Sequence, residues 1–194
     1  MRLTYMDRVT YRRKHDPDLV EGLRDTFGDV YVLPEGGSNA LAVRGCMEVP
    51  REFAVPFDVI CCACGTGGTL AGIAAGLQGQ QQAIGFSALK GGGFLTGEVQ
   101  RLQTEVGVPT DNWRIETEFH FGGFAKRRPE LDRFIHDFKS RHAVRLDWVY
   151  VAKMMAGLFQ LIARGTFPRG TTIVAVVTGS AEPEGAGGDS GSGG

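Results

Sequence analysis

The chain has 194 residues, a formal net charge of −1, 42% apolar residues and 29 glycines. That length suffices for one domain with a sizeable core, and the charge balance offers no electrostatic footprint for nucleic acid or an anionic membrane. No apolar run approaches the roughly 20 residues that span a bilayer, and Met1-Arg2-Leu3-Thr4-Tyr5-Met6-Asp7 lacks the apolar core of a signal peptide, so a cytoplasmic protein is expected.

In chain order, Asp16-Pro17-Asp18-Leu19 predicts a helix start, with a capping carboxylate and then proline at the first helical position, and the helix should end near Gly28. Residues 30–33 read as a short strand halted by Pro34, and 40–53 as a helix that Pro50 ends or kinks. The apolar run 57–63 reads as a buried strand and the small-residue stretch 70–77 as a helix. A strand over 83–88, a helix over 97–106 and a half-exposed alternating strand over 113–119 follow. Leu131, Phe134, Ile135 and Phe138 fall at helical spacing within 129–142, as do Met154, Leu158 and Leu161 within 150–163. The β-branched run 171–177 suits a central strand buried on both faces. Such alternation predicts an α/β fold, a parallel sheet with helices on both faces, in one domain over 1–182. The Gly/Ser-rich residues 183–194 read as a disordered tail.

Four cysteines stand at 46, 61, 62 and 64, and four histidines at 15, 120, 136 and 142. Neither set has the paired spacing of a zinc site, so no metal is expected. Cys61, Cys62 and Cys64 read as reduced, buried, small apolar side chains.

Cys64-Gly65-Thr66-Gly67-Gly68-Thr69 lies between a predicted strand and a predicted helix. Glycines there let several backbone N–H groups converge on one point, and a helix start adds partial positive charge, so the loop suits a phosphate. A P-loop needs Gly-Lys-Ser/Thr, and no lysine lies between Lys14 and Lys90. A dinucleotide fingerprint starting at Gly65 would put its third glycine at Leu70, and the next strand ends at Ser87-Ala88 without an acid for a ribose. A monophosphate cofactor such as pyridoxal phosphate, held by backbone amides and the hydroxyls of Thr66 and Thr69, fits better; an ordinary glycine-rich turn is the alternative. Pro34-Glu35-Gly36-Gly37-Ser38-Asn39 is a second glycine turn, in which Ser38 and Asn39 can cap a helix or bind a ligand.

Together, 33–41, 64–72, the segment Leu146-Asp147-Trp148-Val149-Tyr150-Val151-Ala152-Lys153 and the final Thr178-Gly179 resemble the C-terminal part of a pyridoxal-phosphate enzyme of the tryptophan-synthase-β fold. Within that class the chain is similar to 1-aminocyclopropane-1-carboxylate deaminase and D-cysteine desulfhydrase. The resemblance implies that Gly65, Thr66, Gly67, Gly68 and Thr69 hold the cofactor phosphate. It also implies that Tyr150 is an active-site tyrosine, a proton-transfer group if its pKa is lowered, that Thr178 lies beside the cofactor ring, and that Ser38 and Asn39 lie near the site. The implied reaction acts on a small amino acid and releases ammonia and a 2-oxo acid. Two departures stand out. The family carries the cofactor on a lysine in a Gly-Asn-Lys stretch, whereas none of the lysines here, 14, 90, 126, 139 and 153, follows Gly-Asn. Lys14 sits in a charged run and reads as solvated, Lys90 is the most accessible alternative, and Lys153 matches a family lysine distinct from the cofactor-bearing one. Val151 stands where relatives often place a polar residue. The expectation is therefore a truncated member, with residues 1–40 a remnant of the smaller domain, inactive alone and associating as a homo-oligomer through exposed apolar surface. The alternative is a non-catalytic phosphate-ligand module or a partner subunit.

Overall fold

The structure, a computed structural model, describes residues 3–14 and 16–178. Among the described residues, four parallel strands form one sheet in the order β3-β2-β1-β4: β1 (Val59–Cys64), β2 (Gln82–Ser87), β3 (Trp113–Glu116) and β4 (Ile173–Ala175). The helices are α1 (Arg8–Arg12), α2 (Pro17–Phe27), α3 (Ala40–Cys46), α4 (Gly68–Gly76), α5 (Leu95–Glu105), α6 (Pro129–His142) and α7 (Val151–Ala163). The parallel α/β architecture is as expected.

Period-two alternation divides β1 between two cores. Val59 and Cys61 face one layer with Ile84 and Phe86, under Leu131 and Phe138 of α6 and Val151, Met154 and Leu158 of α7. Ile60, Cys62 and Cys64 face the other with Val43 of α3, Leu70 and Ile73 of α4, and Val99 and Leu102 of α5. Helices therefore cover both faces, which is why the inner strands are nearly all apolar. The thiols behave as core groups: Cys61, Cys62 and Cys64 are buried and free, and burial pushes the Cys61 thiol up to about 12.

Several predicted elements differ. Residues 30–33 form no strand; Tyr31 and Leu33 are 67% and 72% exposed, without a sheet partner among the described residues. The predicted 40–53 helix stops at Cys46, and Pro50 instead falls in a separate 3₁₀ turn, Val49–Glu52. β4 is an edge strand among the described residues rather than a central one: it pairs only with β1, over three residues, and is half-buried. Asp16 stands at the start of α2 but makes no side-chain cap bond, because its carboxylate pairs with Arg13 at 2.7 Å. Gly28 closes that helix at φ 82°. Neither α1 nor α2 buries a residue. The predicted tail, 183–194, and Gly179 lie outside the described residues. Among the described residues no helix is long and apolar enough to cross a membrane.

Candidate functional site

β1 ends at Cys64 and the chain turns through Gly65-Thr66-Gly67 into α4. Gly67 has φ 86°, a left-handed conformation that glycine adopts without a Cβ penalty. Among the described residues no side chain caps α4. Among the described residues no backbone carbonyl accepts from the amides of Thr66, Gly67, Gly68 or Thr69. These donors sit at the positive end of a helix, beyond the C-terminal ends of parallel strands, where α/β sheets bind ligands.

The second glycine turn closes on this loop from α3. Ser38 Oγ lies 2.6 Å from Thr66 Oγ1. The approach is so close that a β-carbon on Gly36, which has φ 64°, would come within 2.4 Å of Thr66 Oγ1. One on Gly68 would come within 2.5 Å of Ser38 Oγ. Asn39 points elsewhere: its Oδ1 accepts from Ala42 N at 2.9 Å, capping α3, and its Nδ2 donates to the Tyr31 hydroxyl at 3.2 Å. The helix cap has taken that side chain.

A cleft of about 740 Å³ opens over the two turns. Ser38, Gly65, Thr66, Thr69, Tyr150 and Thr178 all line it, so the fold gathers six of the nine sequence-predicted residues on one wall system. Gly67 and Gly68 shape the loop beneath, and Asn39 stays outside. Lys14 also lines the cleft and is only 29% exposed at its side chain, contrary to the solvated reading; its ammonium pairs with Glu35 at 3.0 Å. Lys90 is exposed and does not line the cleft.

Tyr150 precedes α7, and its position is set by Asp147. One carboxylate oxygen accepts from Val149 N and Tyr150 N at 3.0 and 2.8 Å, the other from Val151 N at 2.8 Å. The ring lies against Gly65, where a β-carbon would come within 3.1 Å of Tyr150 Cε1, and against Phe124 with centroids 5.9 Å apart. Burial, and then the charges of Asp147 and Glu35, push the phenol above the ordinary tyrosine value. The condition for a phenolate, a lowered value, is not met: among the described residues the groups that shift it are two carboxylates and no cation. Val151 is fully buried in the apolar core, which accounts for a valine there.

Sequence reasoning gave no role to Asp147 or Lys153. Asp147 had a legible signal, a carboxylate just before a helix start. Lys153 had none: it is 1% exposed, and its ammonium donates to Gly123 O at 2.7 Å and Ala88 O at 3.4 Å. Burial draws it below the ordinary lysine value, opposed by Asp147.

No protein-family model matches the chain. It is 29% identical to a protein of Pyrococcus horikoshii provisionally named 1-aminocyclopropane-1-carboxylate deaminase, over 86% of this chain and 54% of that one. It is 32% identical to the bifunctional D-cysteine desulfhydrase/1-aminocyclopropane-1-carboxylate deaminase of Arabidopsis thaliana, over 69% of this chain and 37% of that one. It is 29% identical to the D-cysteine desulfhydrase of Klebsiella pneumoniae, over 78% and 50%. The crystal structure of an ACC deaminase homologue superposes with a TM-score of 0.73 at 27% identity, covering 92% of this chain and 57% of that one. The chain spans about half the length of the curated relatives it matches.

Proposed function

We propose, from its membership of the family of 1-aminocyclopropane-1-carboxylate deaminases and D-cysteine desulfhydrases, that this chain forms the phosphate-holding part of a pyridoxal-phosphate enzyme acting on a small amino acid. One observation carries this reading. Two glycine turns from different parts of the chain are pressed together so that the hydroxyl residues Ser38, Thr66 and Thr69 line one cleft, on a loop whose Thr66 to Thr69 amides donate to no backbone carbonyl among the described residues. A phosphate needs many donors and little bulk, and this arrangement supplies both. The amides of Thr66 to Thr69 and the hydroxyls of Ser38, Thr66 and Thr69 would hold the phosphate, with Thr178 on the cleft wall.

Pyridoxal phosphate, when bound, supplies an electron sink for negative charge developing on the substrate carbon. Tyr150 presents a protonated phenol to the cleft at neutral pH, so it can hold or donate a proton at its Oη but is not poised as a phenolate. Lys14 is the one lysine lining the cleft among the described residues, and Glu35 engages it. None of the lysines follows Gly-Asn, so on this reading turnover to ammonia and a 2-oxo acid needs a cofactor-bearing lysine from outside this sequence. The same absence favours a second reading, a phosphate-ligand module or partner subunit without turnover of its own.

Titration of the purified chain with pyridoxal phosphate, with pyridoxal and with inorganic phosphate as competitor tests the proposal. Binding should need the phosphate, with pyridoxal at least tenfold weaker and inorganic phosphate competing. Equal binding of pyridoxal, or no competition, would refute the phosphate cup. Turnover by the purified chain alone would refute the second reading and the requirement for an outside lysine.

A further inference from the structure

Between β3 and α6 the backbone is unusually contorted. Phe121, Gly122, Gly123 and Ala125 have φ of 49°, 102°, 112° and 48°. Positive φ is costly for residues with a β-carbon, and such segments persist only where their surroundings over-determine them. Local bonds supply part of the restraint: Gly123 N donates to His120 O at 3.0 Å, Gly122 N to His120 Nδ1 at 3.0 Å, and Lys126 N to Gly123 O at 3.1 Å. The remaining anchor comes from outside the loop. Lys153, in the first turn of α7, sends its buried ammonium to Gly123 O at 2.7 Å and, more weakly, to Ala88 O at 3.4 Å. Ala88 is itself fixed, its N donating to Cys64 O at 3.0 Å, so this side of the anchor is the end of the sheet. An ammonium buried to 1% exposure is expensive to desolvate unless its donors are used. Its neighbours are informative: Leu89, Phe124 and Tyr150 all line the cleft; Leu89 and Phe124 directly follow the two residues the lysine joins, and Tyr150 stands three residues before the lysine.

We propose that Lys153 is a positioning residue, whose ammonium ties the contorted 121–125 loop to the end of β2 and so holds the Phe124 ring against Tyr150. Phe124 is 54% exposed and has little core of its own to fix it, whereas its neighbour Gly123 is buried and anchored. Methionine of similar length would fill the same space but remove the donor that the Gly123 and Ala88 carbonyls share, leaving Gly123 O only its local bond from Lys126 N and the loop untied from the sheet. The inference rests on the preceding reading only for the use of Tyr150; its test involves neither cofactor nor turnover.

The test uses the full chain labelled with 3-fluorotyrosine. Limited trypsin digestion reports the loop, because Lys126 and Arg127 follow it directly and are exposed. The fluorine resonance of Tyr150, assigned by its loss in Tyr150→Phe, reports the ring. Lys153→Met should speed cleavage after Lys126 or Arg127 about tenfold while leaving cleavage after Arg101 unchanged, on the principle that local opening tracks local anchoring. It should shift the Tyr150 resonance in the direction seen with Phe124→Ala, and the double variant should shift no further than Phe124→Ala alone. Gly123→Ala places a β-carbon at φ 112° and 3.2 Å from Lys90 Cβ, so it disturbs the loop without touching the ammonium. It should reproduce both effects even where Lys153→Met does not fold. Wild-type cleavage in Lys153→Met, additive shifts in the double variant, or an unmoved Tyr150 resonance in Gly123→Ala each overturns the proposal.

Discussion

Replacing Asp147 by alanine should loosen the start of α7 and with it the seat of Tyr150. An ordinary N-cap accepts one amide hydrogen and contributes about 1 kcal/mol. Asp147 accepts three, at 3.0, 2.8 and 2.8 Å, with a charged acceptor at the positive end of a thirteen-residue helix. Charge-assisted bonds exceed neutral ones and the helix dipole adds a further fraction, so Asp147→Ala should cost about 2–3 kcal/mol. In a chain of this size that corresponds to a fall in Tm of about 4–12 °C. Asp147→Asn is the informative companion. Its amide oxygen can keep the bonds to Val149 and Tyr150, but its NH₂ group cannot accept from Val151, so the loss should be about 1 kcal/mol. Urea unfolding at fixed pH, with unchanged m-values, measures both. An Asp147→Ala loss below about 0.5 kcal/mol would show that water replaces the carboxylate, and an Asp147→Asn loss equal to the alanine loss would show that the bonds to Val149 and Tyr150 contribute nothing; either result would mean that the cap does not hold Tyr150.

Gly68→Ala should weaken pyridoxal-phosphate binding at least tenfold in an absorbance titration, because the new β-carbon would meet Ser38 Oγ at 2.5 Å and Ser38 Cα at 3.3 Å, pushing the two turns apart; unchanged affinity would remove those turns from the site. Gly97→Ala is its control: it lies exposed within α5 with nothing within 4 Å of the added atom, so it should stabilise by about 0.5–1 kcal/mol and leave binding alone, as read by urea unfolding. Tyr150 should titrate above an ordinary tyrosine in the 295 nm difference between wild type and Tyr150→Phe, and both Glu35→Gln and Asp147→Asn should lower that value. Because its folded value is raised, the phenol's contribution to stability is fully present below the ordinary tyrosine value and is lost as pH climbs through the raised one, so the stability difference between wild type and Tyr150→Phe should shift against wild type at high pH. Titration at or below the ordinary value would contradict the buried, carboxylate-flanked placement.

Local features made much of the fold legible. The span 129–142 was readable to the residue because proline opens it and apolar side chains recur at helical spacing, and Asp16-Pro17 with Gly28 bracketed α2. The two misplaced strands share one physical cause: a strand is made by its neighbours, which lie far away in sequence. Among the described residues, 30–33 are apolar enough for a strand but have none beside them, and the β-branched 171–177 run has three paired residues, all against β1. β-propensity describes a side chain suited to a pleated, half-buried surface, and cannot say whether that surface exists.

The candidate site divides in the same way. The glycine–threonine loop could be read as an anion cup because its chemistry is local. What fixes its hydroxyls is not local: Thr66 is held by Ser38, twenty-eight residues away, and Gly36 and Gly68 are needed because the two turns nearly touch. The competition for Asn39 was equally invisible, since a helix cap and a ligand contact ask for the same side chain and only the fold shows that Ala42 N took it. Lys153 is the extreme case: its partners stand 30 and 65 residues off, and a lysine in a helical sequence otherwise signals an exposed face. A buried ammonium is tolerated only where carbonyls converge on it. Here the convergence joins the end of β2 to the loop that carries Phe124, whose ring lies against Tyr150.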